Sequence, residues 1–215
     1  MSLTMFYDLL IASAETLYMV IVSTFFAILL GLPLGTLLFT SSTIKPNAKL
    51  SRSISAFINF SRSIPFIILL VALIPLTRLI VGTSIGIHAA MVPLSLGATP
   101  FFARLVDNVY QNIPQGLIEA GFSMGASSMQ MIRYILLPEA FPALIQAITV
   151  TAITLVNYSA MAGTVGGGGL GDLAIRYGYQ RFNVVIILAT VFVLVVIVQV
   201  LQMIGDRLAR RLTHN

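Results

Sequence analysis

Residue types that commonly carry out catalysis are few in this sequence, and they do not cluster. Cys is absent, which excludes disulfides and thiolate metal ligands. The two histidines, His88 and His214, lie far apart in the chain and lack the close spacing of paired metal ligands. The serines form no nucleophile-elbow pattern, and no apolar segment carries a pair of carboxylates. We therefore predict no catalytic residue, no metal site and no cofactor bound by this chain.

Four consecutive glycines, residues 166–169, raise the question of a phosphate-binding loop. Such a loop needs a Lys followed by Ser or Thr, because the ammonium group and the hydroxyl contact the phosphates and the metal ion. Here Leu170, Gly171 and Asp172 follow the glycines instead. We predict a flexible connecting turn rather than a nucleotide site.

A mixed polar and apolar segment, residues 115–138, has the pattern of two short helices joined by a tight corner. Residues 115–124 can form the first helix, and Gly125 can end it because glycine accepts left-handed backbone. Ser127 can begin the second helix with Gln130 three residues later, which is the pattern of a capping box. Two helices joined in this way form a compact knob, suited to filling a groove on another protein.

Apolar side chains recur at helical spacing in the second half of this knob, at Met129, Ile132 and Leu136. Pro138 is expected to end the second helix and to serve as the first residue of the next one. The alternative to a docking surface is an amphipathic hairpin at a membrane surface, without a protein partner.

The composition places the chain in a membrane. Hydrophobic residues make up 58% of it and charged residues 9%, whereas ordinary globular chains carry about 25% charged residues. We predict an all-α integral membrane protein, with residues 1–215 forming a single transmembrane domain whose core is about 16–204. Residues 1–15 contain no Lys or Arg, so we expect them to be retained rather than cleaved as a signal peptide.

Five segments have the length and composition of transmembrane helices: 16–39, 54–77, 86–106, 139–161 and 183–204. Pro33 is expected to kink the first of them. The sequence Arg62-Ser-Ile-Pro65 interrupts the second. The knob therefore lies between the third span and the fourth.

Basic residues are distributed unevenly between the two sides of such a bundle. With the knob on the inner side, that side holds nine of the twelve Lys and Arg residues: Lys45, Lys49, Arg52, Arg62, Arg104, Arg133, Arg207, Arg210 and Arg211. The other side holds Arg78, Arg176 and Arg181. Inner loops of membrane proteins are enriched in Lys and Arg, so we predict the N-terminus outside and the C-terminus inside. The net charge of +5 then reflects orientation in the membrane and not nucleic-acid binding.

Polar residues within an apolar span tend to face a cavity or a neighbouring helix. Near the outer end of the fourth span these are Asn157, Tyr158 and Ser159, and Met161 follows them. All four are candidates for lining a translocation path or its gate, with helix packing as the alternative. Because they carry no fixed charge, they fit a small uncharged or zwitterionic solute.

The knob resembles the EAA loop of ABC-importer permeases. That motif reads Glu-Ala-Ala, three residues, Gly, nine residues, Ile, one residue, Leu-Pro, and the matching residues are Glu119, Ala120, Gly121, Gly125, Ile135, Leu137 and Pro138. Gly121 stands where the motif has Ala, and it weakens a helix slightly. The resemblance implies that these residues, with Ala126 beside Gly125, contact a separate ATPase subunit that holds ATP and magnesium.

Further short matches extend the resemblance over most of the chain and favour the permeases of methionine importers. They are Arg62-Ser-Ile-Pro-Phe-Ile-Ile-Leu-Leu, Val81-Gly-Thr-Ser-Ile-Gly, Tyr158-Ser-Ala-Met and Gly168-Gly-Leu-Gly. The resemblance implies the type I ABC importer permease fold in a bacterial inner membrane, with two copies of this chain, two ATPase subunits and an extracytoplasmic substrate-binding protein. It also implies uptake of D-methionine, L-methionine or both. The alternatives are another small amino acid or solute, or a non-transporting membrane scaffold.

Overall fold

The structure is a computed structural model that describes residues 3–213, so His214 lies outside the described residues. Ten α-helices occur within that range: Leu3–Phe39 (α1), Ala48–Ser63 (α2), Phe66–Ala72 (α3), Ile74–Val81 (α4), Ile87–Gln111 (α5), Gln115–Ser123 (α6), Ser128–Gln130 (α7), Leu137–Gly163 (α8), Gly169–Leu173 (α9) and Val184–Thr213 (α10). Three π-helical turns also occur there: Thr40–Ile44, Met131–Leu136 and Ala174–Tyr179. The predicted all-α class is confirmed.

Four of the described helical stretches are long and apolar enough to cross a membrane, and they cover four of the five predicted spans except for the first residue of two of them, residues 86 and 183. They correspond to α1, α5, α8 and α10. Near the knob, α5 continues to Gln111 and α10 to Thr213, beyond the predicted ends of their spans. An apolar run marks the thickness of a bilayer, whereas a helix ends only where its backbone hydrogen bonds stop.

Helix α1 is longer than the predicted first span. It begins at Leu3, continues through Pro33 and ends in the π-helical turn Thr40–Ile44. Residues 3–15 contain no Gly or Pro that would break a helix. Their apolar face is also used, because Leu9 and Ala12 are buried in the main hydrophobic core.

The second predicted span is not a straight helix. Helices α2 and α3 meet at an angle of 99°, and Ile64 and Pro65 form the break between them. Proline disfavours helical backbone in the residue before it, and Ile64 has φ −81° and ψ 123°. The predicted interruption at residues 62–65 is therefore confirmed, and the structure shows that it is close to a right angle. If this bent pair counts as one crossing, the described residues contain five.

Helix α1 makes its most extensive contact with α5. Small residues let two helices approach closely, and Gly31 and Gly35 of α1 lie directly against α5. A Cβ atom added at Gly35 would lie 2.7 Å from the Cβ atom of Val106, well inside the optimal carbon–carbon separation of about 3.5–4.0 Å. Beside this contact, the hydroxyl groups of Thr36 and Tyr110 are 3.2 Å apart.

The buried apolar side chains form two large clusters along the length of the bundle. The first joins α1, α5 and α8 through Met19, Leu94 and Leu155. The second lies toward the knob and includes Tyr110 of α5 together with Met131 of the π-helical turn that precedes α8. The knob is therefore attached to the main body by a continuous hydrophobic core.

We expect Gly35→Ala to destabilise the protein, because the added methyl group collides with Val106 and with the backbone of Ala103. Overpacking of this kind costs about 1–3 kcal/mol. The measurement is the temperature at which half of the detergent-solubilised protein leaves the monodisperse size-exclusion peak. Gly116→Ala is the matched control, since a Cβ atom there has no neighbour within 4 Å. Equal midpoints for the two variants would contradict the packing argument.

Candidate functional site

The corner of the knob has the left-handed geometry that its sequence predicts. Gly125 has φ +73°. Its N–H donates to the Phe122 carbonyl at 2.9 Å, and the Ala126 N–H donates to the Gly121 carbonyl at 3.1 Å. Together these two bonds form a Schellman motif. A Cβ atom at Gly125 would have no neighbour within 4 Å, so the corner needs glycine for its backbone angle and not for lack of space.

The second half of the knob begins with the predicted capping box. The Ser127 hydroxyl accepts from the Gln130 N–H at 3.4 Å, and the Gln130 side-chain oxygen accepts from the Ser127 N–H at 2.8 Å. Pro138 lies in the first turn of α8, as predicted, but no break precedes it. A proline ring collides with the carbonyl four residues earlier in a regular α-helix. The wider π-helical turn Met131–Leu136 precedes the proline, so the helical path from Ser128 to Gly163 is continuous.

Gly121, the one departure from the EAA pattern, lies at a close contact inside the knob. A Cβ atom at this position would lie 2.6 Å from Cδ1 of Ile135 and 2.8 Å from Cε of Met131. Helix α6 therefore packs directly on the π-helical turn that leads into α8. The sequence alone indicates only that the residue is small; the structure identifies what it contacts.

The outward surface of the knob carries several large apolar side chains. Large apolar side chains are exposed at Leu117, Phe122, Met124, Met129 and Tyr134, with Met124 78% and Met129 70% exposed. Among the predicted coupling residues, Glu119, Ala120, Gly125 and Pro138 are exposed, Ala126, Ile135 and Leu137 are half-buried, and Gly121 is buried. Exposed apolar patches of this kind mark surfaces that bind proteins or membranes.

The four predicted path residues on α8 divide into two pairs. Asn157 and Met161 are exposed in the single chain, with Met161 at 46%. They are four residues apart and share one face of the helix. Val150 and Thr164 are also exposed and continue that face in both directions. Helix α8 therefore presents a stripe of exposed positions on this face from Val150 to Met161, with the half-buried residues Ile153 and Thr154 between them.

The other two predicted path residues contact neighbouring groups. The ring of Tyr158 stacks on the ring of Phe66, with centroids 4.3 Å apart and planes at 4°. Ser159 is buried, and its hydroxyl donates to the Val156 carbonyl at 2.8 Å. Sequence reasoning missed Phe66, which follows Pro65 at the start of α3. Pro65 predicts that the chain changes direction there, but it does not predict that the Phe66 ring stacks on Tyr158.

The glycine-rich turn at 166–169 is held by two side chains of α1. The Gly169 N–H donates to the Glu15 carboxylate at 2.8 Å, and the Leu170 N–H donates to the Thr16 hydroxyl at 2.9 Å. A phosphate loop needs such N–H groups to be free, whereas here both already have partners. Glu15, to which the sequence analysis gave no role, is thus a structural partner of this turn.

Comparison with known proteins identifies relatives over nearly the full length. Residues 27–214 match the family of the binding-protein-dependent transport system inner membrane component. The chain is 52% identical over 209 residues to the probable D-methionine transport system permease protein MetI of Vibrio cholerae serotype O1, covering 96% of this chain and 93% of that protein. It is 59% identical over 151 residues to the D-methionine transport system permease protein MetI of Escherichia coli K12, covering 69% of this chain and 70% of that protein.

Solved structures share the fold. A chain of the inward-facing MetNI methionine ABC transporter superposes with a TM-score of 0.97 at 52% identity, and 99% of each chain is covered. A chain of an amino acid ABC transporter crystallised with histidines superposes with a TM-score of 0.78 at 20% identity, covering 95% of this chain and 94% of that one, which is a likeness of fold alone. The family match spans all four long helical stretches at least in part. The chain therefore belongs to the family of binding-protein-dependent transport system inner membrane components.

Proposed function

We propose that this chain is the membrane-spanning permease subunit of an ATP-driven importer that takes up methionine, as the D isomer, the L isomer or both. The observation that carries the proposal is the knob, whose exposed apolar surface is joined to a helix that continues unbroken into α8. Family membership supports a transport role. The D-methionine permease names of its relatives support the substrate.

The proposed assembly contains two copies of this chain, two ATPase subunits that hold ATP and magnesium, and an extracytoplasmic binding protein. Each chain supplies one knob, so a two-fold symmetric pair offers one docking surface to each ATPase subunit. Residues 1–215 form a single transmembrane domain in this assembly. The family description supports its placement in a bacterial inner membrane.

In this proposal the knob passes movement of the ATPase subunit to the translocation path. Helix α6 packs on the π-helical turn at Gly121, against the side-chain ends of Met131 and Ile135. That turn joins α8 without a break. Tightly packed elements move as rigid bodies rather than deform, so a displacement of the knob tilts α8 along its whole length.

The exposed stripe of α8 is the proposed wall of the path. In a two-fold pair the stripes of the two copies face each other, with Asn157 and Met161 nearest the outer end. Methionine side chains are unbranched and adaptable, so a pair of them can close a narrow passage and repack when it opens. Tyr158 and Ser159 support this wall from behind, through the contacts with Phe66 and the Val156 carbonyl.

The proposed topology has five crossings, with the bent pair of α2 and α3 continued by α4 as the second. An odd number of crossings places the termini on opposite sides of the membrane. The excess of Lys and Arg on the side of the knob supports an external N-terminus and an internal C-terminus.

Transport tests the proposed function and the role of the corner. Reconstituted with its ATPase subunits and binding protein, the wild-type chain should accumulate labelled methionine only when ATP is supplied. Gly125→Val should reduce both uptake and copurification of the ATPase, because a β-branched residue resists φ near +73°. The cost of left-handed backbone is about 1–2 kcal/mol, or roughly tenfold in the population of the native corner.

Gly125→Asn is the matched control, because asparagine accepts left-handed backbone and its Cβ atom would meet no neighbour within 4 Å. It should retain uptake. Accumulation of a different amino acid in place of methionine by the wild-type assembly would refute the proposed substrate. Full uptake by Gly125→Val would instead refute the role of the corner and leave the substrate assignment intact.

Reporter fusions test the topology. Green fluorescent protein fused after Asn215 should fluoresce, since it folds in the cytoplasm, and a tag placed before Met1 should be accessible to protease in intact spheroplasts. With the two reporters exchanged, neither should be active: an exported phosphatase fused after Asn215 stays in the cytoplasm, and green fluorescent protein fused before Met1 does not fluoresce. Both termini on one side would mean that the bent α2–α3 pair enters and leaves the membrane on the same face.

Cysteine labelling tests the proposed path, and the native chain contains no thiol to interfere. Met161→Cys and Asn157→Cys should react with a small aqueous reagent at a rate that changes with ATP or substrate. Ser159→Cys is the control on the same turn and should stay unreactive, because Ser159 is buried. State-independent protection of residue 161, together with normal uptake by Met161→Ala, would identify Met161 as a packing residue.

A further inference from the structure

A cleft of about 570 Å³ lies between the end of α1 and one side of α2. Its volume is within the range of about 300–1,000 Å³ that is usual for small-molecule sites. Seven of its ten lining residues have polar side chains, and the principal ones are Ser41, Ser42, Ser51, Arg52, Ser55 and Asn59. None of these residues belongs to the knob or to the stripe of α8.

The floor of the cleft is fixed by Arg104 of α5. Its guanidinium group donates to the Ser55 hydroxyl at 3.0 Å and to the side-chain oxygen of Asn59 at 2.8 Å. Because the oxygen of the Asn59 amide is occupied, its NH₂ group is left as a donor. The same arginine donates to Asp107 at 3.0 Å, and Gln111 donates to that carboxylate at 3.0 Å. Asp107 lies outside the cleft wall. The Ser41 and Ser42 hydroxyls donate to the Leu38 and Phe39 carbonyls at 2.9 Å, so the donors left to the cleft include Arg52, the Asn59 NH₂ group and the Ser51 and Ser55 hydroxyls.

The charge of the surrounding chain favours an anion. Residues 40–63 contain Lys45, Lys49, Arg52 and Arg62 and no Asp or Glu. No carboxylate lines the cleft. Clustered positive charge raises the local concentration of anions, and an arginine with several hydroxyl groups is well matched to a phosphate.

Helix α2 also has the features of a helix that lies at a membrane surface. Leu50 and Phe57, two turns apart, and Phe60 are exposed, with Phe60 at 70%. At 100° per residue, Lys49 lies beside Phe60 on the helix surface, and the cleft residues Ala56 and Arg52 follow it on the next flank. Exposed apolar side chains beside basic ones place an amphipathic helix at the boundary between headgroups and acyl chains.

We propose that this cleft binds the phosphate of an anionic phospholipid headgroup, with the exposed apolar residues of α2 against its acyl chains. Basic pockets between transmembrane helices on the inner side of membranes bind such headgroups. The site does not depend on transport. It needs α2 to run along the inner membrane surface into the second crossing, which α3 and α4 then make after the 99° bend. It anchors the connection between α1 and α2 to the lipid next to it.

Native mass spectrometry of the assembled transporter tests the site. The detergent-solubilised complex is titrated with phosphatidylglycerol, with phosphatidylcholine of the same acyl chains, and separately with inorganic phosphate. The wild type should retain phosphatidylglycerol in preference to phosphatidylcholine. Arg52→Gln should lower the retention of phosphatidylglycerol about tenfold, the amount expected for the loss of one hydrogen bond between charged groups.

Two variants make the test specific. Arg62→Gln removes the same charge from the last turn of α2, where the side chain lies over the Phe101 ring and not in the cleft, and it should leave retention unchanged. Ala56→Leu keeps every charge but fills the cleft, and it should abolish the preference. Equal losses from Arg52→Gln and Arg62→Gln would overturn the cleft in favour of general charge attraction. Binding of inorganic phosphate without any preference for the lipid would overturn the lipid assignment.

Discussion

The shape of this chain follows from one constraint: in an apolar solvent, each backbone N–H and C=O group needs a partner within the protein. Long helices satisfy most of these groups, so the interruptions are informative. The turn at Pro138 is accommodated by a π-helical widening rather than by a break. The N–H groups of Gly169 and Leu170 are satisfied by Glu15 and Thr16 of a helix more than 150 residues away in sequence. Helical hydroxyls such as that of Thr151 bond to the preceding turn.

The scaffold and the moving part of the proposed transporter are built differently. Helices α1 and α5 meet through glycines that leave no space for a methyl group, which suits a fixed frame. The knob is packed inside through Gly121, whose neighbours are the side-chain ends of Met131 and Ile135, and it exposes large apolar side chains outside. A rigid element whose apolar surface is free to bind a partner can transmit the movement of that partner. Because the helix continues unbroken from the knob into α8, the movement is passed along the axis of α8.

Local features were predictable from sequence, and long-range ones were not. The corner at Gly125 and the capping box at Ser127 depend on residues at most five positions apart, so their chemistry is visible in the sequence. The angle of the α2–α3 bend depends on what α3 packs against, although Pro65 revealed that a break exists. The stacking of Phe66 on Tyr158 joins residues 92 positions apart, and no spacing rule predicts it. The polarity of residues 157–159 likewise identified the segment as a candidate for the path, but it did not predict which of its side chains are exposed.

The link between Glu15 and the turn after α8 makes the end of the bundle away from the knob a pivot. The Glu15 carboxylate and the Thr16 hydroxyl fasten α1 to the chain just beyond the end of α8. Helix α8 has 27 residues, so it extends about 40 Å from that point toward the knob. A lever of this length magnifies rotation: a tilt of about 10° about the fastened end displaces the far end by roughly 7 Å. In the proposed transporter the largest movements are thus expected at the knob, and the smallest at the opposite end of α8.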